Sequence, residues 1–491
     1  MIQPLKRGDS LRVIVLWMLG GCAVVGPDYQ TPEPVLPETH GSASAELDRS
    51  APADADPVDL VVWWEAFEDP TLTELVQRAI AGNKDMATAI QRIAEAEAIL
   101  GVERSAAGPR LDLNGRYRRA GISENTQFGL FPGQSRSSDE YQLGLASSWE
   151  LDLWGRNQRI LEAAGADLES RVEDLGAVHV SVTAMVGDAY LRLRENQRRE
   201  AIARTTITTL EGNHETSTAR FHAGLVQELD MLRAQTELES SRALLPRLQL
   251  GAAAAMAELE LLCGLEPSKL TALLSPTADT TVAIPVPGMR VGDQVPADLL
   301  RRRPDLRSVE RQLAAQTARI GVATADLYPT FTLLGNFGLL AEKPQNLFQA
   351  TSITHSIGPS FSVPLFSGGG VRRNIAAADA RAKQALVAYE RTLLEALHEV
   401  DSAARSIVLE GLSLETLDRA KTSAQASLMK SVALYEQGLT AVDTVLDSRR
   451  ALYSIEDARA QARSATSRAH VDLYRALGGG WPGAGSAPED E

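Results

Sequence analysis

Residues 435–481 read YEQGLTAVDTVLDSRRALYSIEDARAQARSATSRAHVDLYRALGGGW, and this stretch has a counterpart earlier in the chain. A shift of 214 positions superposes two pairs of anchor motifs without a gap. The pairs are Phe221-x-x-Gly224-Leu225 with Tyr435-x-x-Gly438-Leu439, and Leu262-Cys263-Gly264 with Ala476-Leu477-Gly478. Solenoid repeats recur every 20 to 50 residues or so, which is far shorter than this spacing. The chain is therefore predicted to contain two homologous halves of one fold.

A second match, at an offset of 220, relates residues 101–117 to residues 321–337. Both segments continue from a proline into alternating apolar and polar residues, which is the two-residue period of a strand with one polar face. Each half has a further segment of this kind, so strands are predicted at about 109–119, 139–152, 329–340 and 353–366. A tilted strand needs about 9 to 11 residues to cross a bilayer, and the alternation is typical of a membrane β-barrel.

Long heptad patterns follow each predicted hairpin, and they indicate coiled-coil helices. The first half repeats Leu161, Leu168, Leu175, Val182 and Ala189; the second repeats Leu386, Leu393, Val400, Ile407 and Leu414. The predicted long helices cover 156–210 and 215–263 in the first half, and 370–421 and 422–477 in the second. The fold class is therefore mainly α with a membrane β-barrel, in duplicated halves that each contain a β-hairpin and long coiled-coil helices.

The remaining segments are assigned by composition. Residues 1–21 resemble a signal peptide, because Lys6, Arg7 and Arg12 precede an apolar run. The run ends in Leu19-Gly20-Gly21-Cys22, which resembles a bacterial lipobox and makes Cys22 a candidate lipidation site; a chance match within an ordinary signal is the alternative. A proline-rich tether (22–60), a first repeat (61–264), a linker (265–304), a second repeat (305–478) and a C-terminal tail (479–491) follow.

The charge and the cysteine content of the chain exclude some partners and some means of stabilisation. The net charge of −15 argues against nucleic acid as a partner. Only Cys263 remains after Cys22, so no disulfide can form within the mature chain.

Four strands cannot close a barrel, because closed membrane barrels have about eight strands or more. Two copies would supply eight strands and a filled barrel, whereas three would supply twelve and a barrel wide enough for a passage.

The chain resembles the outer-membrane factors of Gram-negative export systems, the TolC-like channels, and within them the OprM-like lipoprotein branch. The resemblance is carried by the following motifs: Gly26-Pro27-Asp28-Tyr29, Trp63-Trp64, Asp69-Pro70, Ser148 to Arg156 (SWELDLWGR), Leu299 to Asp305 (LLRRRPD) and Leu477 to Trp481 (LGGGW). It implies a homotrimer in the outer membrane, with a 12-stranded β-barrel continued by a periplasmic α-helical barrel. It also implies a periplasmic adaptor protein and an inner-membrane pump of the resistance-nodulation-division type. No enzymatic activity and no cofactor are expected.

In that family, charged side chains close the pore at its periplasmic end. The matching residues here are Asp443, Asp447 and Arg450, with Asp230 and Arg233 as first-half counterparts. Asp443 stands where the lipoprotein branch often has an apolar residue, so a wetter, more cation-favouring constriction is expected. The alternative is that all five are ordinary solvated charges on a coiled coil.

Two other functions compete with the channel. A non-conducting trimeric coiled-coil lipoprotein could span the periplasm, although a scaffold has no need of four bilayer-length strands. A periplasmic enzyme is less favoured, because the sequence has no P-loop, GxSxG or metal-ligand spacing. Gly478-x-Gly480-x-x-Gly483 formally fits a dinucleotide fingerprint, but it follows a predicted helix, which favours a helix stop.

Overall fold

The computed structural model describes residues 24–32, 59–121, 137–275, 283–287 and 302–482. Cys22 and the signal sequence lie outside the described residues. Contacts divide the chain into two compact units, called here the sheet unit and the helical unit. The sheet unit comprises Met1–Pro32, Ile93–Arg171 and Val309–Tyr389; the helical unit comprises Glu33–Arg92, Val172–Ser308 and Glu390–Glu491.

The sheet unit contains one antiparallel sheet of four strands, in the order β1-β2-β3-β4. The strands are β1 (Arg110–Gly121), β2 (Ser137–Leu151), β3 (Thr330–Ala341) and β4 (Ile353–Ser362). Each half of the repeat supplies one hairpin, and β2 of the first half pairs with β3 of the second. β1 and β4 are the two edges of the sheet.

The register places the alternating apolar residues of all four strands on one face. Leu113 lies opposite Leu145, which lies opposite Phe337, and Phe331 lies opposite Phe361. Directly opposed residues share a face, and Leu113, Phe337 and Phe361 are 70%, 58% and 71% exposed. The sheet therefore presents an uncovered apolar surface.

β4 ends at Ser362, four residues before the predicted end at 366. Pro364 follows, and proline cannot donate to a strand ladder. Gly368 and Gly369 then adopt φ values of +58° and +84°, a left-handed turn that leads into the next helix.

Most of the remaining described residues are helical. The helices are α1 (Pro70–Gly82), α2 (Lys84–Ala106), α3 (Arg156–His222), α4 (Glu228–Arg242), α5 (Leu245–Leu262), α6 (Thr271–Leu274), α7 (Pro304–Ala325), α8 (Gly370–Glu436) and α9 (Val442–Ala476). None of them combines the length and the apolar character that a membrane-crossing helix needs.

The predicted ends of the first long helix in each half, at 210 and 421, are wrong. α3 and α8 each have 67 residues and continue to His222 and Glu436. Gly212, just beyond the first of these predicted ends, lies inside α3 with open space around it and needs no special backbone conformation.

The partner helix predicted at 215–263 is two helices, α4 and α5. Pro246 lies in the first turn of α5, where its missing N–H costs no helical hydrogen bond. The break at Ala243 and Leu244 follows from this proline. The second half has no proline at this point, and α9 is continuous.

The core of the helical unit is built around Trp63, which is 1% exposed and lies in a 3-10 helix, Leu60–Phe67. Its ring stacks on Tyr474 of α9 with centroids 5.2 Å apart. α9 ends in a left-handed turn at Gly478, after which the Gly480 N–H donates to the Leu60 carbonyl at 2.7 Å. The glycine run therefore stops a helix and docks the chain on the core.

Candidate functional site

Two matching turns mark the ends of the helical hairpins. We call residues 223–227, between α3 and α4, the first tip, and residues 437–441, between α8 and α9, the second tip. Gly224 and Gly438 have φ values of +70° and +71°. The Leu225 N–H donates to the Arg220 carbonyl at 2.9 Å, and the Leu439 N–H donates to the Leu434 carbonyl at 2.9 Å. Both tips thus close with the same Schellman motif, in which only glycine is unstrained.

An apolar cluster lies behind the tips. Ile207 and Leu210 of α3 pack with Leu238 of α4 and Leu446 of α9, and each of the four is less than one-tenth exposed. α3 is therefore in contact with helices from both halves of the repeat at this level. The cluster determines which side chains of α4 and α9 lie opposite each other.

Ion pairs join α4 to α9 beside this cluster. Arg233 pairs with Asp443, and both side chains are 44% exposed. Arg450 Nε lies 2.6 Å from Glu237 Oε2, while Arg450 Nη1 lies 3.2 Å from Asp447 Oδ1. We call Arg233–Asp443 and Arg450–Glu237 the cross-copy pairs, because each joins the first copy of the repeat to the second.

The five predicted gate residues therefore have different surroundings. Asp443, Arg450 and Arg233 take part in cross-copy pairs. Asp447 forms an ion pair with its neighbour Arg450 and with no other described residue, and its side chain is 72% exposed. The Asp230 carboxylate forms no ion pair with any described residue, and its backbone N–H donates to the Gln227 carbonyl at 3.0 Å.

Sequence reasoning missed Glu237, which is the most buried member of the cross-copy pairs at 19% exposure. It also missed a third link between the copies. The Arg220 guanidinium stacks over the Tyr435 ring, 5.1 Å from its centroid, and donates to the Tyr435 hydroxyl. Tyr435 and Phe221 are equivalent in the repeat, so an aromatic at this position was visible, but its cationic partner was not.

Arg449 is a further residue that the sequence did not single out. It is half-buried, and its Nε and Nη1 atoms are inaccessible and without a hydrogen-bond partner among the residues that the structure describes. Burial lowers the pKa of this guanidinium from its ordinary value. Unpaired buried donors destabilise a fold. The part of α9 around Arg449 is therefore less stable than the burial of its apolar neighbours alone would indicate.

A sheet with an exposed apolar face, together with duplicated helical hairpins that carry ion pairs behind uncharged tips, defines the class of outer-membrane channel subunits. The family model described as "Outer membrane efflux protein" matches residues 75–265 and 295–479. The chain belongs to this family.

Comparisons with individual relatives and a solved structure support this family assignment. The chain is 30% identical to outer membrane protein OprJ of Pseudomonas aeruginosa over 485 residues, covering 96% of each chain. It is 29% identical to the solvent efflux pump outer membrane protein SrpC of Pseudomonas putida over 479 residues, covering 96% of this chain and 98% of the relative. The solved outer-membrane channel OprN superposes with a TM-score of 0.81 at 35% identity, covering 93% of this chain and 99% of that one.

Proposed function

We propose that three copies of this chain form a gated duct through the outer membrane, and that an inner-membrane pump and its periplasmic adaptor load the duct with substrate. The observation that carries the proposal is the four-stranded sheet, whose apolar face is exposed and whose edge strands β1 and β4 have no neighbour within the described residues. A sheet in lipid must pair both edges, because unpaired backbone groups cannot be hydrated there.

Three copies satisfy this requirement and leave a passage. β1 of one copy would pair with β4 of the next, which gives twelve strands. Two copies would give eight strands, whose interior side chains fill the barrel. The predicted export function thus favours the trimer, with the long helices α3 and α8 continuing the passage into the periplasm.

The cross-copy pairs are proposed to hold the duct closed. Opening requires α9 to separate from α4, and this movement breaks Arg233–Asp443 and Arg450–Glu237 together. Asp447, which is largely exposed, would supply the negative ring that favours cations at the constriction. Asp443 contributes less to such a ring, because Arg233 neutralises it within the chain.

The two tips are the proposed docking points for the adaptor. Leu225 and Leu439 occupy the same position of the two turns and are 73% and 70% exposed. Leu229 and Leu232, on α4 just beyond the first tip, are about half exposed. Exposed leucines repeated at equivalent turns form apolar patches suited to a partner. An adaptor that serves a pump of the resistance-nodulation-division type is the expected partner.

Lipidation of Cys22 would add a second attachment to the membrane. Residues 24–32, close behind this cysteine, are fixed to the sheet unit. Arg159 is 3% exposed, pairs with Asp28 at 2.7 Å and donates to the Val25 carbonyl at 3.2 Å. The anchor would therefore lie close to the membrane strands rather than at the end of a loose tether.

Planar-bilayer recording of the purified full-length protein tests the proposal. Stepwise ion currents should appear, and crosslinking of the same sample should give trimers. A stable trimer that gives no current at high protein concentration would instead identify the non-conducting structural lipoprotein. A dimer that conducts would contradict the twelve-stranded barrel and leave the duct intact.

A further inference from the structure

A pocket lined by basic residues lies in the helical unit, away from the tips. Its volume is about 170 Å³ and its walls are α3, α8, α9 and residues 283–284. The short segment 283–287 is held across α9, since Arg463 Nε donates to the Ile284 carbonyl at 2.8 Å and Ser467 Oγ donates to the Pro285 carbonyl at 2.6 Å. The pocket is therefore a fixed feature between packed elements, with room for several waters or one small ion.

Positive charge exceeds negative charge in this pocket. The four cations that line it are Arg198, Lys421, Arg459 and Arg463. Two carboxylates oppose them: Glu456 lies 3.3 Å from Lys421, and Asp418 pairs with Arg459. Two of the four cations therefore have no ion pair with any described residue.

The two unmatched cations are Arg198 and Arg463. Arg198 has no hydrogen bond or ion pair with any described residue, and Arg463 uses only Nε, on a backbone carbonyl. Burial, reinforced by the nearby Arg459 and Arg198 and partly opposed by Asp418, lowers the pKa of the Arg463 guanidinium from its ordinary value. Like charges gathered in a partly enclosed space repel one another, and a bound anion would relieve that repulsion.

Arginine matches the geometry of an oxyanion better than that of any other ligand class. Its planar guanidinium offers parallel N–H donors to two oxygens of one phosphate or carboxylate. Arg198 and Arg463 reach the pocket from different helices, so one anion could bridge them. Ile202 and Ala460, which also line the pocket, are 8% and 6% exposed, and a wall of buried apolar side chains strengthens contacts between opposite charges.

We propose that this pocket binds a small phosphate-type oxyanion between Arg198 and Arg463. The anion is either free in the periplasm or the terminal group of a larger molecule. None of the residues that line the pocket takes part in the cross-copy pairs, so binding of the anion does not require those pairs to form or break.

Calorimetric titration of the full-length protein in uncharged detergent at low ionic strength tests the site. Inorganic phosphate should bind saturably, and binding should weaken with added chloride. Arg198→Gln with Arg463→Gln should weaken it about tenfold or more, because two charge-assisted contacts are lost. Phosphate should also raise the thermal midpoint of the wild type and not that of the variant.

The matched control is Arg247→Gln with Arg302→Gln, which removes two exposed arginines that form no ion pair with any described residue of the same unit. Its phosphate affinity should stay within twofold of wild type. Arg198→Gln alone serves as the test if the double variant does not fold, since Arg198 forms no hydrogen bond or ion pair with any described residue.

Glycerol 2-phosphate distinguishes the two sources of the anion. Binding equal to that of phosphate indicates that the pocket accepts a tethered phosphate group, whereas binding of inorganic phosphate alone identifies a free-anion site. The absence of saturable phosphate binding, or an equal loss in the control variant, would overturn the proposal.

Discussion

Removing the charge from the cross-copy pairs should open the duct. The variant is Asp443→Asn with Glu237→Gln, which keeps the size of each side chain and leaves Arg233 and Arg450 without their partners across the repeat. In the proposed mechanism, the closed state contains both pairs, and a state in which α9 has moved from α4 contains neither. The substitutions therefore destabilise the closed state selectively.

The size of the effect follows from exposure. Pairs between partly exposed side chains contribute about 0.2–1 kcal/mol each. Arg233–Asp443, at 44% exposure on both sides, belongs in the middle of this range, while Arg450–Glu237 belongs near the top, because Glu237 is 19% exposed. Three copies contain six such pairs, which contribute about 4–5 kcal/mol when they break together. A change of about 1.4 kcal/mol is tenfold, so the ratio of open to closed channels should rise by roughly three orders of magnitude.

Single-channel recording measures this ratio directly. Wild-type channels should open rarely at about 0.15 M salt and more often at about 1 M, where the screening length falls from about 8 Å to about 3 Å. The variant should open often at both concentrations. Reversing the pair, with Asp443→Arg and Arg233→Asp together, should restore closure because the attraction is rebuilt.

Asp401→Asn with Glu415→Gln is the matched control. It makes the same chemical changes on α8, where each carboxylate pairs with an arginine of its own helix. This variant should gate like wild type. An unchanged open probability in the variant of the cross-copy pairs, or equal opening in the control, would show that these ion pairs do not close the passage.

Three further outcomes are expected. Cys22→Ser should abolish incorporation of radioactive palmitate, and unchanged labelling would refute the lipobox. Arg449→Met should stabilise the folded protein by about 1 kcal/mol, seen as a higher denaturation midpoint, because two buried unpaired donors are removed; a lower midpoint would mean that Arg449 has a partner in the assembly. Burial lowers the pKa of His179 and of His470 in the folded protein. As the pH falls below about 6.5, the unfolded chain therefore binds protons before the folded protein does. The free energy of unfolding should decrease from there until the folded histidines also titrate. His470→Gln should flatten this decline in midpoints measured between pH 7.5 and 5.5, and an unchanged slope would exclude His470 as a source.

Local patterns predicted the sheet better than the helix ends. The two-residue alternation identified the segments that form β1 to β4, because each side chain reports directly which face it occupies. Helix ends depend on a single backbone conformation, which residue identity does not determine. Gly212 and Gly224 are both glycines, yet α3 continues through Gly212 and ends just before Gly224. The difference lies in the Schellman bonds that Gly224 and Leu225 make, and these were not visible in the spacing of apolar residues.

Buried charge was equally hard to anticipate. Arg301, Arg302 and Arg303 are identical neighbours in the sequence. Arg303 alone is known to be buried, at 6% exposure, and it pairs with Asp305 at 2.7 Å and Glu399 at 2.9 Å. Its second partner lies on α8, nearly a hundred residues away. Arg302 is exposed, and Arg301 lies outside the described residues. Only packing distinguishes Arg303 from Arg302.

The cross-copy pairs could nevertheless have been inferred from the repeat itself. Duplicated helices that start from equivalent turns place equivalent residues at equal heights, so contacts between copies should join residues separated by about the repeat offset of 214. The observed separations are 210 for Arg233–Asp443, 213 for Glu237–Arg450 and 215 for Arg220–Tyr435. A search for opposite charges at this spacing would have selected Glu237 and excluded Asp230, whereas a search for charges clustered along one helix selected Asp447. The duplication thus does more than repeat a hairpin. The two copies carry opposite charges at matching positions along α4 and α9, so ion pairs form between them. Neutralising the charge in one copy alone is therefore expected to break those pairs.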